Sequence, residues 1–443
     1  MSRSPDARTA LEAAEVFLQA PRLAQAVSTV SIAVSILATP LHSMMGWPGL
    51  IGIVTVLVVL AVASLVARRE EIDWQGLLPI SLLVFLGWAA LTLVWSQYQW
   101  STVAGLAYLG VYTALGLYIA LLRDTIQIVR AFGDVLRFVL VVSLALEVFS
   151  GLLIDSPIAF LGIQGHLADG GPIQGLLGTR NQLGIIALLA AVTFGTELRT
   201  KSIQPPLAIA SLALAVVTMY FSRSPLIGGV IVILGAAIVA LYLLRRVSPA
   251  RRTLAQLVLL AIAAIVALLA WGFRARIIAL SNAGGELNFR LSLWQQILDL
   301  IDLNPLEGWG WIGRWQPGQP PFNYITWTVG REHGSALNAY LDVYLQVGLV
   351  GVFLFVLLCV FAFLRSWLLA SNRRSTVYVW PALVLVALLA TGMTESFLLV
   401  EAGWLMLVIC AVKGSQGMSW RSRLPEKPPP ARGPAPAHPE SLG

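Results

Sequence analysis

The chain has 443 residues, 58% of them hydrophobic and only 12% charged, and its mean hydropathy is +0.80. That composition excludes an ordinary water-soluble domain of this length. The 29 Lys and Arg residues against 22 Asp and Glu give a net charge of +7, but no nucleic-acid motif accompanies them, so the charge points to membrane topology and not to nucleic acid.

Residues 1–23 read as a cytoplasmic N-terminal segment. Within it Leu11, Ala14, Phe17 and Leu18 recur at helical spacing ahead of Pro21, which suits a helix lying on the membrane surface or packing on the bundle. The first long apolar run then starts too late and runs too long for a cleavable signal peptide. Crossing about 30 Å of hydrocarbon takes about 20 apolar residues, and such runs recur at 24–41, 50–67, 77–95, 103–122, 132–153, 176–196, 206–221, 226–244 and 254–273. After a long polar segment, 274–335, three more follow at 336–364, 377–392 and 396–412. The expected fold is an all-α integral membrane protein of about 12 transmembrane helices. Nine lie in 24–273 and three in 336–413, with one long extracytoplasmic loop between. Cys359 and Cys410 both fall in apolar runs and suggest neither a disulfide framework nor a metal site. The Pro-rich basic stretch 414–443 reads as a disordered cytoplasmic tail.

With both ends cytoplasmic, 22 of the 29 basic residues fall inside, which sets the orientation by the positive-inside rule. The seven left outside are Arg180, Arg223, Arg274, Arg276, Arg290, Arg314 and Arg331, and none is lysine. A guanidinium fork suits phosphate and carboxylate oxygens. Taken singly, each could be an interfacial arginine that snorkels to the membrane surface. Converging on one face, the set makes an anion site. Arg223 sits in a two-span junction with almost no loop, and Arg180 with Asn181 opens an apolar helix.

In the long loop, 289–303 reads as an amphipathic helix with Leu291, Trp294, Leu298 and Ile301 on one face and Arg290 at its start. Trp309 and Trp311 follow among glycines, where flat rings beside flexible backbone suit sugar stacking or an interfacial aromatic belt. Next comes Arg331-Glu332-His333, a polar stretch leading directly into an apolar helix near Asn338. At a membrane boundary such ionisable groups are expected to be functional.

Four segments in this order resemble the O-antigen ligase / O-antigen polymerase superfamily of bacterial envelope glycosyltransferases. They are Gly178-Thr-Arg-Asn-Gln-Leu-Gly; Ser222-Arg223-Ser224; Arg290 with Leu293-Trp294 and Asn304-Pro305-Leu-Glu-Gly308-Trp-Gly310; and Asn338-Ala-Tyr-Leu341-Asp with Gln346-Val-Gly348-Leu-Val-Gly351. The resemblance implies a metal-independent transferase without a cofactor, in the bacterial cytoplasmic membrane, with its active site on the extracytoplasmic face. Its donor would be an undecaprenyl diphosphate-linked glycan taken from the surrounding membrane lipid, and its acceptor a hydroxyl on a glycan or lipid-anchored acceptor. Carried over by position, Arg223 and Arg290 match the arginines that hold the diphosphate, joined on the donor side by Arg180, Asn181 and Arg331. The acceptor side takes Trp309, Trp311, Arg314 and Asn338. The family histidine precedes the asparagine directly, but that position is Leu337 here. His333 is the nearest histidine and the expected base, with Glu332 as fallback and His166 as a remote third.

Two other readings fit the span count. A polysaccharide polymerase would use the same donor on another lipid-linked repeat unit. A lipid-linked glycan flippase would show ionisable groups near midspan or related halves, whereas Glu147 lies near the outer end of its span, Glu395 and Glu401 lie near the last one, and no repeat is evident. A non-catalytic scaffold would need no outer arginine set.

Overall fold

The computed structural model describes residues 5–70, 79–168, 170–274, 276, 284–316, 318–330 and 334–417. The described residues are helical with no strands. In chain order the helices are α1 (Pro5–Leu18), α2 (Pro21–Ile36), α3 (Ala38–Ala67), α4 (Ile80–Leu91), α5 (Gln99–Leu122), α6 (Thr125–Val148), α7 (Arg180–Thr200), α8 (Pro205–Ser222), α9 (Pro225–Arg246) and α10 (Pro249–Gly272). There follow α11 (Gly284–Ile301), α12 (Phe322–Val329), α13 (Ala339–Asn372), α14 (Val379–Gly392) and α15 (Glu401–Gly417). Among them, eight are long and apolar enough to cross a membrane: α3, α5, α6 with its π-helical extension to Ile154, α7 to α10, and α13. Four of the expected spans are shorter helices. These are α2 with 16 residues, α4 with 12, α14 with 14 and α15 with 17, and at about 1.5 Å per residue each falls short of about 30 Å. The expected tail lies almost wholly outside the described residues.

Local chemistry sets many of the boundaries. Proline occupies the first turn of α2, α8, α9 and α10, where its missing N–H costs nothing. Asp124 and Gln127 form a capping box on α6. The Thr179 hydroxyl accepts from Gln182 N at 3.2 Å and starts α7, so this helix begins at Arg180, after the expected 176. The Asn338 side chain accepts from the Tyr340 and Leu341 amides at 3.0 and 3.2 Å and starts α13. That is three residues after the expected 336.

The core gathers around α15, whose residues are nearly all buried and which packs against α5, α13 and α14. Helix α7 packs on α6, α8 and α14. One ion pair ties α6 to α7: Arg137 Nη1 lies 2.6 Å from Glu197 Oε2, with the Glu197 side chain fully buried and the guanidinium over the Phe194 ring. Glu147 is also structural, accepting from the Gln174 and Gly175 amides at 2.7 Å and so holding the loop that leads into α7.

Helix α13 breaks at Gly348, where φ is +69°. The segment Pro305–Gly310 crosses at that break. Trp309 N donates to Leu345 O at 3.0 Å, Gly310 N to Gln346 O at 2.8 Å, and Leu349 N to Pro305 O at 2.9 Å. A Cβ at Gly348 would stand 2.1 Å from Leu306 O, so both the left-handed φ and the close approach require glycine. The Asn304–Gly310 and Gln346–Gly351 motifs are therefore the two halves of a single crossing.

The amphipathic helix forms, but the expected face is not the buried one. Leu291 is 50% and Leu298 41% exposed, whereas Leu293 and Ile297 are fully buried with Arg290 beside them at 4%. Both sets satisfy helical spacing, and of the expected face Ile301, at 2% exposed, and half-buried Trp294 do pack on the core. What rotates the helix is a smaller core of Trp315, Phe322, Ile325, Ala336 and Leu345, on which Leu293 and Ile297 pack.

Candidate functional site

A cavity of about 1020 Å³ opens between the starts of α7 and α13, the segment 313–314, α11 and the junction before α15. Its walls carry Arg180, Asn181, Arg290, Arg314, Asp342, Glu395 and Glu401. Gly330 and Gly334 also line it. Arg331, Glu332 and His333, between these glycines in sequence, lie outside the described residues.

Arg290 reaches the cavity because it shares the buried face of α11. Its Nη1 donates to Leu337 O at 3.1 Å and to Thr394 O, and its Nη2 donates to Glu395 Oε1 at 2.9 Å. One turn on, the Trp294 indole donates to Ala336 O at 3.0 Å. Together the two side chains grip the carbonyls of 336 and 337 just ahead of α13. Leu337 itself holds a φ of +50°, an unfavourable backbone state for a branched side chain that the surrounding bonds must sustain.

Glu395 is shared. Asn181 Nδ2 also donates to its Oε1, at 2.8 Å, and the Ser224 hydroxyl donates to Asn181 Oδ1 at 2.8 Å. A hydrogen-bonded chain therefore runs from Ser224 through Asn181 and Glu395 to Arg290. Arg223, next to Ser224, has a φ of +47° and an exposed side chain reaching toward Gly170. It is not among the residues lining the cavity. Arg223 is therefore the sequence neighbour of this chain and not a member of it, and among the described residues no hydrogen bond joins its side chain to Arg290.

A second pair faces the first. Arg314 Nη2 lies 3.0 Å from Glu401 Oε2, and the Tyr108 hydroxyl donates to Glu401 Oε1 at 2.9 Å. The Glu401 carboxylate raises the Arg314 pKa from its ordinary value, ahead of the opposing effect of burial, so the guanidinium stays charged. The loop that presents Arg314 is stitched down on both sides. Gln346 Oε1 accepts from the Ile312 and Gly313 amides at 2.8 and 2.9 Å, and its Nε2 donates to Asp342 Oδ1 at 2.8 Å. The Trp315 indole donates to the same Asp342 oxygen at 2.8 Å. Asp342 and Gln346, one turn apart on α13, are therefore the fixings of the Arg314 loop.

Of the expected site residues, the structure brings Arg180, Asn181, Arg290 and Arg314 to one cavity. Three others have different work. Trp311 is 1% exposed and packs edge-on against Phe85 in the main core. The Trp309 indole donates to Leu300 O at 3.1 Å. The Asn338 side chain caps α13. His166 is exposed in the 155–178 loop, away from the cavity lining. Arg274 sits over the Trp271 ring and donates to Trp271 O at 3.0 Å, an interfacial arrangement. The carboxylates Glu395 and Glu401 were legible only as charges near a span end, and their role as arginine partners was missed. The available signal was that two acids flank the last apolar run while Arg290 and Arg314 await partners.

Together these features define a multi-pass helical membrane protein with a polar cavity whose arginines are held by carboxylates. Residues 207–356, from α8 into the first half of α13, match the O-antigen ligase family model. The match covers Arg223, Arg290, Arg314, Asp342 and Gln346, and supports the O-antigen ligase/polymerase superfamily, as the ordered motifs implied. The match points to a membrane enzyme of the O-antigen ligase/polymerase type and spans about a third of the chain. No curated protein matches it.

Proposed function

We propose that the chain transfers a glycan from an undecaprenyl diphosphate carrier to an acceptor hydroxyl, within the cavity bounded by Arg180, Arg290 and Arg314. The observation that carries this reading is the pairing of buried Arg290 with Glu395, because a fork fixed in advance loses little freedom when an anion arrives. The acceptor oxygen attacks the anomeric carbon of the donor sugar, and the bond from that carbon to the diphosphate oxygen breaks. The electron pair leaves with undecaprenyl diphosphate, and the hydroxyl proton passes to His333. Arg290, Arg180 and Arg331 stabilise the charge that grows on the leaving group. Arg223, one residue from the Ser224 end of the hydrogen-bonded chain, guides the diphosphate on its approach. Arg314, oriented by Glu401, faces the acceptor.

The orientation that accompanies this reading places 274–335 outside the cytoplasm. Cysteines introduced at Gly318 and Ser375 should label from opposite sides of sealed vesicles, and labelling of both from one side would overturn it.

The chemistry is tested with purified protein in vesicles, a lipid-linked glycan and two acceptors: a lipid-anchored sugar, and a second lipid-linked repeat unit. The expected result is a covalently extended acceptor with release of undecaprenyl diphosphate. Extension of the lipid-anchored sugar identifies a ligase, and extension of the repeat unit a polymerase. Movement of intact donor between leaflets with no change in covalent state would instead mark a flippase.

A further inference from the structure

Helix α7 runs from Arg180 at the polar cavity to Thr200, and 21 residues span about 30 Å. At its far end lies a second cavity of about 670 Å³, between α7, α9, the start of α10, the end of α13 and α14. Its walls are apolar, with Val192, Leu234, Leu241 and Leu383 among them. Six arginines stand around it: Arg199, Arg245, Arg246, Arg252, Arg373 and Arg374. Among the described residues that line it there is no Asp or Glu.

The six divide by what they hold. Arg245 Nη2 donates to the carbonyls of Arg373, Arg374 and Ser375 at 2.8, 2.8 and 2.9 Å, curling that turn around its guanidinium. Arg252 donates to Asn372 Oδ1 at 2.8 Å, and Arg246 lies over the Tyr242 ring. Arg199, Arg373 and Arg374 have no side-chain hydrogen-bond or ion-pair partner among the described residues. Arg245 and Arg252 therefore hold the turn that brings Arg373 and Arg374 beside Arg199 at an apolar slot, while Arg246 is held on its own helix. Basic residues at helix ends can serve topology alone. Topology does not call for a cavity beneath them, for apolar walls, or for a described lining without Asp or Glu.

We propose that this cavity binds an anionic phospholipid, its phosphate among Arg199, Arg373 and Arg374 and an acyl chain along the apolar walls. An unpaired phosphodiester supplies the missing negative charge, and an acyl chain fits the apolar walls. The site is separate from the transfer cavity, so the inference does not depend on the proposed chemistry.

The test is native mass spectrometry of the full-length protein in detergent, with phosphatidylglycerol and phosphatidylcholine of matched chains. The expected result is selective retention of phosphatidylglycerol. The double variant Arg373→Gln/Arg374→Gln, on an exposed turn, should weaken it about tenfold or more. Gly195→Leu keeps all six arginines, and a Cβ there meets nothing within 4 Å. Because Gly195 lines the cavity, the leucine should fill it and also reduce retention. Excess inorganic phosphate should displace little lipid. Equal retention of the two lipids overturns the proposal, as does unchanged retention in the arginine double variant. Displacement by inorganic phosphate as effective as by lipid would show a phosphate site in which the slot plays no part, and would overturn it too.

Discussion

The two ends of α7 present arginine in opposite ways. At the Arg180 end, Arg290 and Arg314 are matched to Glu395 and Glu401 and anchored through loops fixed on α13. At the Arg199 end, six arginines share a cavity with no carboxylate among its described lining residues. The difference separates two uses of one side chain. A paired guanidinium has its direction fixed before any ligand arrives, which suits charge that appears transiently in a transition state. An unpaired one draws a permanent anion from its surroundings. Removing a carboxylate from the first end and adding bulk to the second are therefore expected to have unlike effects.

The largest expected loss follows from removing the proposed proton acceptor. His333→Ala should retain binding of the lipid diphosphate donor while transfer falls about 10²–10⁴-fold, the usual span for a general base. Donor affinity measured beside transfer rate checks this, and an unchanged rate, or loss with Glu332→Gln alone, would reassign the base. A different kind of break is Gly348→Ala, which forces a Cβ against Leu306 O at the crossing that supports the Arg314 loop. It should lower the melting temperature markedly and carry activity down with it.

Glu395→Gln keeps the size of the side chain but removes the charge that fixes Arg290. Turnover should fall about tenfold, less than the ~10²–10³ expected on losing a direct donor to the leaving group. A rise in turnover would mean that the carboxylate competes with the donor and does not orient its binding group. The smallest effect is expected at Gly313→Ala. There φ is +72° but a Cβ meets nothing within 4 Å, so only the backbone penalty of about 1–2 kcal/mol applies. A thermal midpoint well below that of Gly348→Ala would show that strain and not collision governs this loop.

Much of the frame was readable from local chemistry. Thr179 and Asn338 cap helices expected to start at 176 and 336, within a few residues of the observed starts, and Arg180, Arg290 and Arg314 of the expected arginine set line the polar cavity. What could not be read locally depends on partners distant in sequence. Arg290 and Glu395 lie 105 positions apart, and neither neighbourhood names the other. The face of α11 was placed on Leu291 and Leu298 because they too fit helical spacing, whereas the Glu395 carboxylate lets Arg290 sit on the packed side. Burial of apolar helices was equally hidden. Helices α10 and α15 are both rich in apolar residues, yet α10 has no buried residue and α15 is almost wholly enclosed. A helix facing lipid and a helix facing protein satisfy the same composition. The glycines at 308 and 348 were seen as separate motif positions, and only their meeting explains both.

The central claim is that the Arg290 end is where the lipid diphosphate leaves. The most direct measurement is donor-dependent release of undecaprenyl diphosphate by the purified wild type, by Arg290→Lys, and by Arg274→Lys as an interfacial control, each matched for thermal stability. Lysine keeps the charge but loses the fork that reaches Glu395 and two carbonyls at once. The account predicts that release falls by about 10²-fold or more in Arg290→Lys and is unchanged in Arg274→Lys. Wild-type release from a stable Arg290→Lys protein, or equal losses in the two variants, would contradict it.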